Sequence, residues 1–88
     1  MQLDPGILVG LAPEQAETIL GKPTAVREEP PATVWAYKLP GCSLELFFYP
    51  EVATKQPRAL AYTVRGKDQS EAAKQDCFAR LRTVRHGP

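Results

Sequence analysis

Residues 42–49, with the sequence CSLELFFY, decide the fold because apolar side chains recur at every second position. Successive side chains of a β-strand point to opposite faces, so Leu44, Leu46 and Phe48 share one side of this strand. The pattern predicts the central strand of an antiparallel sheet with one face on a hydrophobic core. The other face carries Ser43, Glu45, Phe47 and Tyr49.

Alternating segments on both sides of this strand predict its partners. Residues 33–39 place Trp35, Tyr37 and Leu39 on one face, and the Pro-Gly turn that follows joins them to the central strand. Further toward the N-terminus, residues 24–28 predict a short edge strand, which the two prolines after Glu29 bring to an end.

A fourth strand follows the central one. Residues 50–57 are polar and proline-flanked, which is typical of a hairpin loop, and residues 58–65 alternate again. We expect Leu60, Tyr62 and Val64 to point inward.

A short helix precedes the sheet. The segment Gly10-Leu11-Ala12-Pro13 opens it, since proline is favoured at the first helical position, where its missing N–H would be unpaired anyway. Gly21 followed by Lys22 and Pro23 ends it. Its apolar face consists of Ala16, Ile19 and Leu20.

The pattern predicts a second, longer helix over residues 69–84. Asp68 is the expected N-cap, and Glu71 stands three residues later in a capping-box arrangement. A stripe at helical spacing is expected to lie across the sheet: Ala73, Cys77, Leu81 and Val84. The basic residues of this region are expected to form a solvated face: Lys74, Arg80, Arg82 and Arg85.

These elements predict an α+β fold, with a short N-terminal helix, a three- to four-stranded antiparallel sheet and a C-terminal helix packed on it. We expect the 88 residues to form one domain with one core. Residues 1–9 read as an N-terminal arm that becomes apolar only at its end, and residues 85–88 read as a frayed tail.

Composition narrows the possible functions. Eleven Lys and Arg against ten Asp and Glu give a net charge of +1, without the strongly basic face typical of nucleic-acid binding. There is no glycine-rich nucleotide motif, and the single histidine, His86, stands in the expected tail. A histidine-dependent nucleophile or a zinc site is therefore not favoured. We expect no enzymatic activity, no cofactor and no metal.

The two cysteines offer two interpretations. Cys42 begins the central strand and Cys77 lies in the apolar stripe of the closing helix. If that helix packs on the sheet, the pair comes within disulfide reach, and we expect a bridge. The alternative is two buried free thiols that pack as small apolar side chains.

The aromatic residues raise a second question, because the central strand is apolar on both faces. Most of the aromatic side chains must lie in the core. We expect the first helix and the N-terminal arm to cover the face that bears Phe47 and Tyr49. The alternative is a partly apolar surface of the kind that binds other molecules.

Several of these segments together resemble the SmpA/OmlA (BamE-type) domain family. The resemblance rests on the helix opening at Gly10 and Pro13, on Leu20-Gly21-Lys22-Pro23, on the pair Trp35 and Tyr37, and on the strand at residues 42–49. Within that group, the chain looks most like small alphaproteobacterial envelope lipoproteins with a second cysteine in the last helix. The similarity covers about residues 7–66 and Cys77.

The resemblance implies a fold like that of the β-lactamase inhibitor protein. It also implies a periplasmic domain that serves envelope integrity or outer-membrane assembly through protein contacts, held at the outer membrane by a lipidated cysteine that residues 1–88 do not include. The long closing helix departs from the assembly-factor members. Two alternatives remain: a ligand- or inhibitor-type binding module that uses the face of Phe47 and Tyr49, and a cytosolic adaptor with free thiols.

Overall fold

The computed structural model describes residues 4–84 and shows an α+β fold. A short 3-10 helix, Pro5–Leu8, leads to helix α1, Pro13–Leu20. The four strands, which pair antiparallel in chain order, are β1 (Ala25–Glu29), β2 (Ala32–Leu39), β3 (Cys42–Pro50) and β4 (Pro57–Arg65). Helix α2, Glu71–Val84, follows the sheet. The predicted order of elements is confirmed.

Both helices and the 3-10 turn pack on one side of the sheet. The core cluster joins Leu8, Leu20 and Phe78 to Leu44 and other side chains of that side. We call this side of the sheet the helix face. The opposite side is called the open face, because the cluster contains none of its side chains. Its residues on β2 and β3 are Ala32, Val34, Ala36, Lys38, Ser43, Glu45, Phe47 and Tyr49.

The usual geometry of a helix start and stop explains the two ends of α1. Pro13 occupies the first turn, and the N–H of Ala12 donates to Oε1 of Gln15 at 2.9 Å. Gly21 ends the helix with a φ of +78°, and Tyr37 donates a hydrogen bond from its hydroxyl to the Gly21 carbonyl at 2.8 Å. The hydroxyl of a strand residue thus holds the helix stop against the sheet.

Gly10 fastens the segment before α1 to the outer edge of β4. Its N–H donates to the Ala59 carbonyl at 2.6 Å, and the Ala59 N–H donates to the Leu11 carbonyl at 2.8 Å. The φ of Gly10 is +93°, a conformation that favours glycine. In the expected arm, Leu8 is fully buried while Ile7 and Val9 are exposed, so the arm packs through one residue of its apolar end. Residues 1–3 and the expected tail lie outside the described residues.

A β-bulge in β4 changes which of its residues face the core. Phe47 pairs with Ala61 but Phe48 pairs with Ala59, so Leu60 is an extra residue between them. Ala59 takes the inward position and is fully buried, whereas Leu60 is 56% exposed. The prediction for Leu60 is therefore wrong. Tyr62 and Val64, beyond the bulge, do face the core.

The start of α2 also differs from the prediction. The hydroxyl of Ser70 accepts from the Ala73 N–H at 3.0 Å, so Ser70 is the capping residue and Asp68 is not. Asp68 instead accepts from the Ser70 N–H at 2.8 Å and orders the turn before the helix. On the predicted stripe, Ala73, Cys77 and Leu81 are buried, and the side chain of Val84 lies outside the described part of the chain. Phe78, which the stripe omitted, is fully buried.

Candidate interaction face

No helix of residues 4–84 covers the face that bears Phe47 and Tyr49. Helix α1 and the arm, which were expected to cover this face, contribute their buried side chains to the other side of the sheet. That expectation is wrong. The helix-face positions of β3 are apolar throughout, whereas Ser43 and Glu45 interrupt the open face, and all three helical segments pack on the uninterrupted side. Phe47 and Tyr49 are both partly exposed.

The register of the strands arranges the open face in rows. Phe47 stands between Val34 on β2 and Ala61 on β4, and Tyr49 pairs with Arg58. Val34 is fully buried although no helix of residues 4–84 contributes to the core on this side. Phe47 is therefore flanked on both neighbouring strands by side chains smaller than its own ring.

Arg27 on β1 pairs with Val34 and therefore stands on the open face. Its Nε donates to Oε2 of Glu29 at 2.7 Å, and its Nη1 donates to Oε2 of Glu45 at 2.9 Å. These hydrogen bonds, to Glu29 first and then to Glu45, raise the pKa of the Arg27 guanidinium. Arg27 thus links the carboxylates of Glu29 and Glu45 across the open face. Every residue of β1 is exposed.

An apolar groove of about 510 Å³ continues the open face beyond Tyr49. Leu60 lines it from the bulge, and Val52, which is 90% exposed, lines it from the β3–β4 loop. Sequence reasoning placed Leu60 on the inward face, because no simple pattern marks the bulge, and it assigned no role to Val52, which stands alone in a polar loop. The other lining residues are Gly10, Pro50, Glu51 and Arg58.

The predicted disulfide between Cys42 and Cys77 is present, with 5.4 Å between the two Cα atoms. Both residues are buried, and the bridge fastens α2 to the first residue of β3 on the helix face. Neither cysteine is left as a free thiol. The bridge stands on the opposite side of the sheet from Phe47 and Tyr49, so it serves the core and not the open face.

The other residues that the sequence singled out make contacts within the fold. The Trp35 ring packs against Phe48 with 4.8 Å between the ring centres, and Trp35 is only partly buried because β2 lies toward the uncovered edge of the sheet. Tyr37 is 4% exposed, and burial, followed by the nearby charge of Glu17, raises the pKa of its hydroxyl. On α2, Arg80 donates to the Pro40 carbonyl at 3.0 Å and Arg82 lies over the Phe78 ring.

A second cleft, of about 480 Å³, lies where α2 meets the turns at Gly41 and Gly66. Ser70, Asp76 and Arg80 line it, but the Ser70 hydroxyl already serves the start of the helix. Within residues 4–84, no three His, Cys, Asp or Glu side chains come together as metal ligands. The described helices include none that is both long and apolar enough to cross a membrane.

A comparison of the chain with models of protein families, with curated proteins and with solved structures finds no match.

Proposed function

We propose that this chain is a non-enzymatic domain of the bacterial cell envelope that binds other proteins through its open face. The observation that carries the proposal is a sheet face without a covering helix in residues 4–84, on which Phe47 and Tyr49 are partly exposed. Association draws on the burial of aromatic side chains, and tyrosine is common among the residues that dominate binding energy.

The location in this proposal is the periplasm, in a lipoprotein of the SmpA/OmlA type whose lipid anchor is not among residues 1–88. Two observations support it: the sequence resemblance, and the disulfide, since such bonds persist mainly in oxidising compartments. The pairing of the two cysteines favours this location over the alternative, a cytosolic adaptor with free thiols. The role would be envelope integrity or outer-membrane assembly.

Site-specific photo-cross-linking in living bacteria that produce the protein tests the proposal. A photoreactive phenylalanine analogue at position 47 should cross-link to envelope proteins, and Tyr49→Ser in the same chain should abolish the product. The matched control changes Arg80 and Arg82 to Glu on α2, away from the open face, and should leave the product unchanged. Cross-linking that depends on the arginines and does not depend on Tyr49 would contradict the proposal, as would recovery of the protein in the cytoplasmic fraction of the cell.

A ligand- or inhibitor-type binding module is the second candidate, and the apolar groove beyond Tyr49 favours it. Its volume of about 510 Å³ lies in the range of small-molecule sites, and Val52 and Leu60 offer apolar contacts. Leu60→Glu separates the two candidates. It should remove binding of a small apolar ligand, measured by a fluorescent naphthalene-sulfonate probe, while it leaves cross-links at position 47 in place.

A further inference from the structure

A row of polar residues crosses the open face at the end opposite the apolar groove. Lys38 on β2 pairs with Ser43 on β3, and Ser43 pairs with Arg65 on β4. Directly paired residues of antiparallel strands point to the same side, so all three side chains stand on the open face. They line a hollow of about 240 Å³ together with Glu45 and Thr63.

The two cations of this row lack a carboxylate partner. Within residues 4–84, every ion pair within 4.0 Å involves other groups, and neither Lys38 nor Arg65 takes part in one. Glu45 is the acidic residue closest to them in the register, one row away on β3. Its carboxylate is held at 2.9 Å by Arg27, on the β1 side of the sheet. Two exposed positive charges therefore flank the Ser43 hydroxyl, and the Glu45 carboxylate that lines the same hollow is already engaged by Arg27.

The geometry of the row suits a carboxylate. Adjacent strands are about 4.8 Å apart, so the backbones of Lys38 and Arg65 are separated by about 10 Å, with the Ser43 hydroxyl between them. Their long side chains reach over that distance, and guanidinium and ammonium groups form their strongest hydrogen bonds with anionic oxygens. Phe47 stands on the same strand face as Ser43, four residues or about 13 Å along β3.

We infer that the row Lys38–Ser43–Arg65 is an acidic-group subsite, and that the partner is a protein segment that places an Asp or Glu side chain there while an apolar side chain packs on Phe47. This inference rests on the proposed function, because it names the chemistry of the partner on the same face. The complementary charge at one end and the aromatic residues further along set both the position and the direction of the bound segment.

Selection from a phage library of random twelve-residue peptides tests the inference on the whole chain. Enriched peptides should combine an aromatic or aliphatic residue with an Asp or Glu three to five positions away. For a synthetic copy of an enriched peptide, Lys38→Gln with Arg65→Gln should raise the Kd about tenfold or more, since two charge-assisted hydrogen bonds are lost. The matched control, Lys22→Gln with Lys67→Gln, removes two exposed charges elsewhere and should leave the Kd unchanged.

The outcomes separate this inference from the proposed function. Binding that needs Phe47 but is indifferent to Lys38→Gln with Arg65→Gln overturns the acidic-group subsite and leaves the contact face standing. Failure to enrich any peptide, or binding unaffected by Phe47→Ser, overturns both. Vesicles of phosphatidylglycerol and phosphatidylethanolamine form the last arm. Retention that depends on Lys38 and Arg65, without any selection of acidic peptides, assigns the row to a lipid headgroup and overturns the inference.

Discussion

Phe47 and Phe48 are neighbours on the same strand, yet they belong to two different surfaces. Phe48 is 2% exposed, packs edge-on against Trp35 and belongs to the core cluster. Phe47 is partly exposed and lies between Val34 and Ala61 on the open face. The difference shows that an apolar residue in a strand does not by itself mark the core side. The helices that return to one face decide it.

The largest expected effect is on the free energy of unfolding, and it tests the contrast between Phe48 and Phe47. Phe48→Ala should lower the free energy of unfolding by about 3–5 kcal/mol, the usual cost of truncating a fully buried phenylalanine. Phe47→Ala should lower it by less, about 1–2 kcal/mol, because the Phe47 side chain is only partly buried and no helix of residues 4–84 packs on it. Urea denaturation of the two variants measures both values. Equal losses would mean that the open face is covered as well.

The disulfide should have the next largest effect, and it sharpens the account of the helix face. Changing Cys42 and Cys77 together to Ala should cost about 3–4 kcal/mol, the chain-entropy value for a loop closed across 35 residues. Denaturation of the variant and of the reduced wild type should agree. Two thiols that alkylate in the folded, air-oxidised protein would contradict the bridge, and mass spectrometry detects them.

Tyr37 gives a smaller effect with a characteristic pH dependence. Tyr37→Phe removes a buried donor from the Gly21 carbonyl and should cost about 1–2 kcal/mol near neutral pH. Burial raises the pKa of this hydroxyl, so the folded state favours its neutral form, and that stabilisation is complete below the ordinary tyrosine pKa of about 10. Above about pH 10 the unfolded chain ionises Tyr37 and the advantage declines. Unfolding measured from about pH 7 to 11 should show the gap between wild type and variant shrinking only above about pH 10.

The smallest effect is expected on the open face itself. Arg27→Gln removes both ion pairs to Glu29 and Glu45, but these groups are exposed and such pairs contribute little to stability. The melting temperature should hardly change at physiological salt. A large fall would show that the Arg27 pairs support the sheet as the core does, and calorimetry at low and high salt distinguishes the two cases.

Most of the fold could be predicted from local patterns. The alternation of residues 42–49, the turn before Cys42 and the start and stop of α1 each depend on neighbouring residues, and each agrees with the structure. The disulfide was also within reach, since one cysteine begins a strand and the other lies on a helical stripe. Ser70 and Asp68 compete for the same cap, and the choice depends on where the helix begins.

The candidate site was less predictable because it depends on long-range arrangement. The side to which α1 turns is set by packing of Leu8 and Leu20 on the sheet, which no local pattern reveals. The bulge that exposes Leu60 depends on how β3 and β4 align. The row of Lys38, Ser43 and Arg65 comes from three separate strands and exists only once the register is known.

The exposed strand β1 has a consequence for solubility. An edge strand carries unpaired N–H and C=O groups that can pair with another chain, and a sheet can then grow into fibres. Arg27, Glu28 and Glu29 stand in a row on one edge, followed by two prolines, while Gly10 and Leu11 occupy the other edge at Ala59. Charged side chains on β1 and a segment already paired with β4 make both edges poor templates for an incoming strand, which protects a sheet that carries aromatic residues on its open face. Replacing the three charges with Val should produce thioflavin-binding aggregates that Phe47→Ser does not suppress.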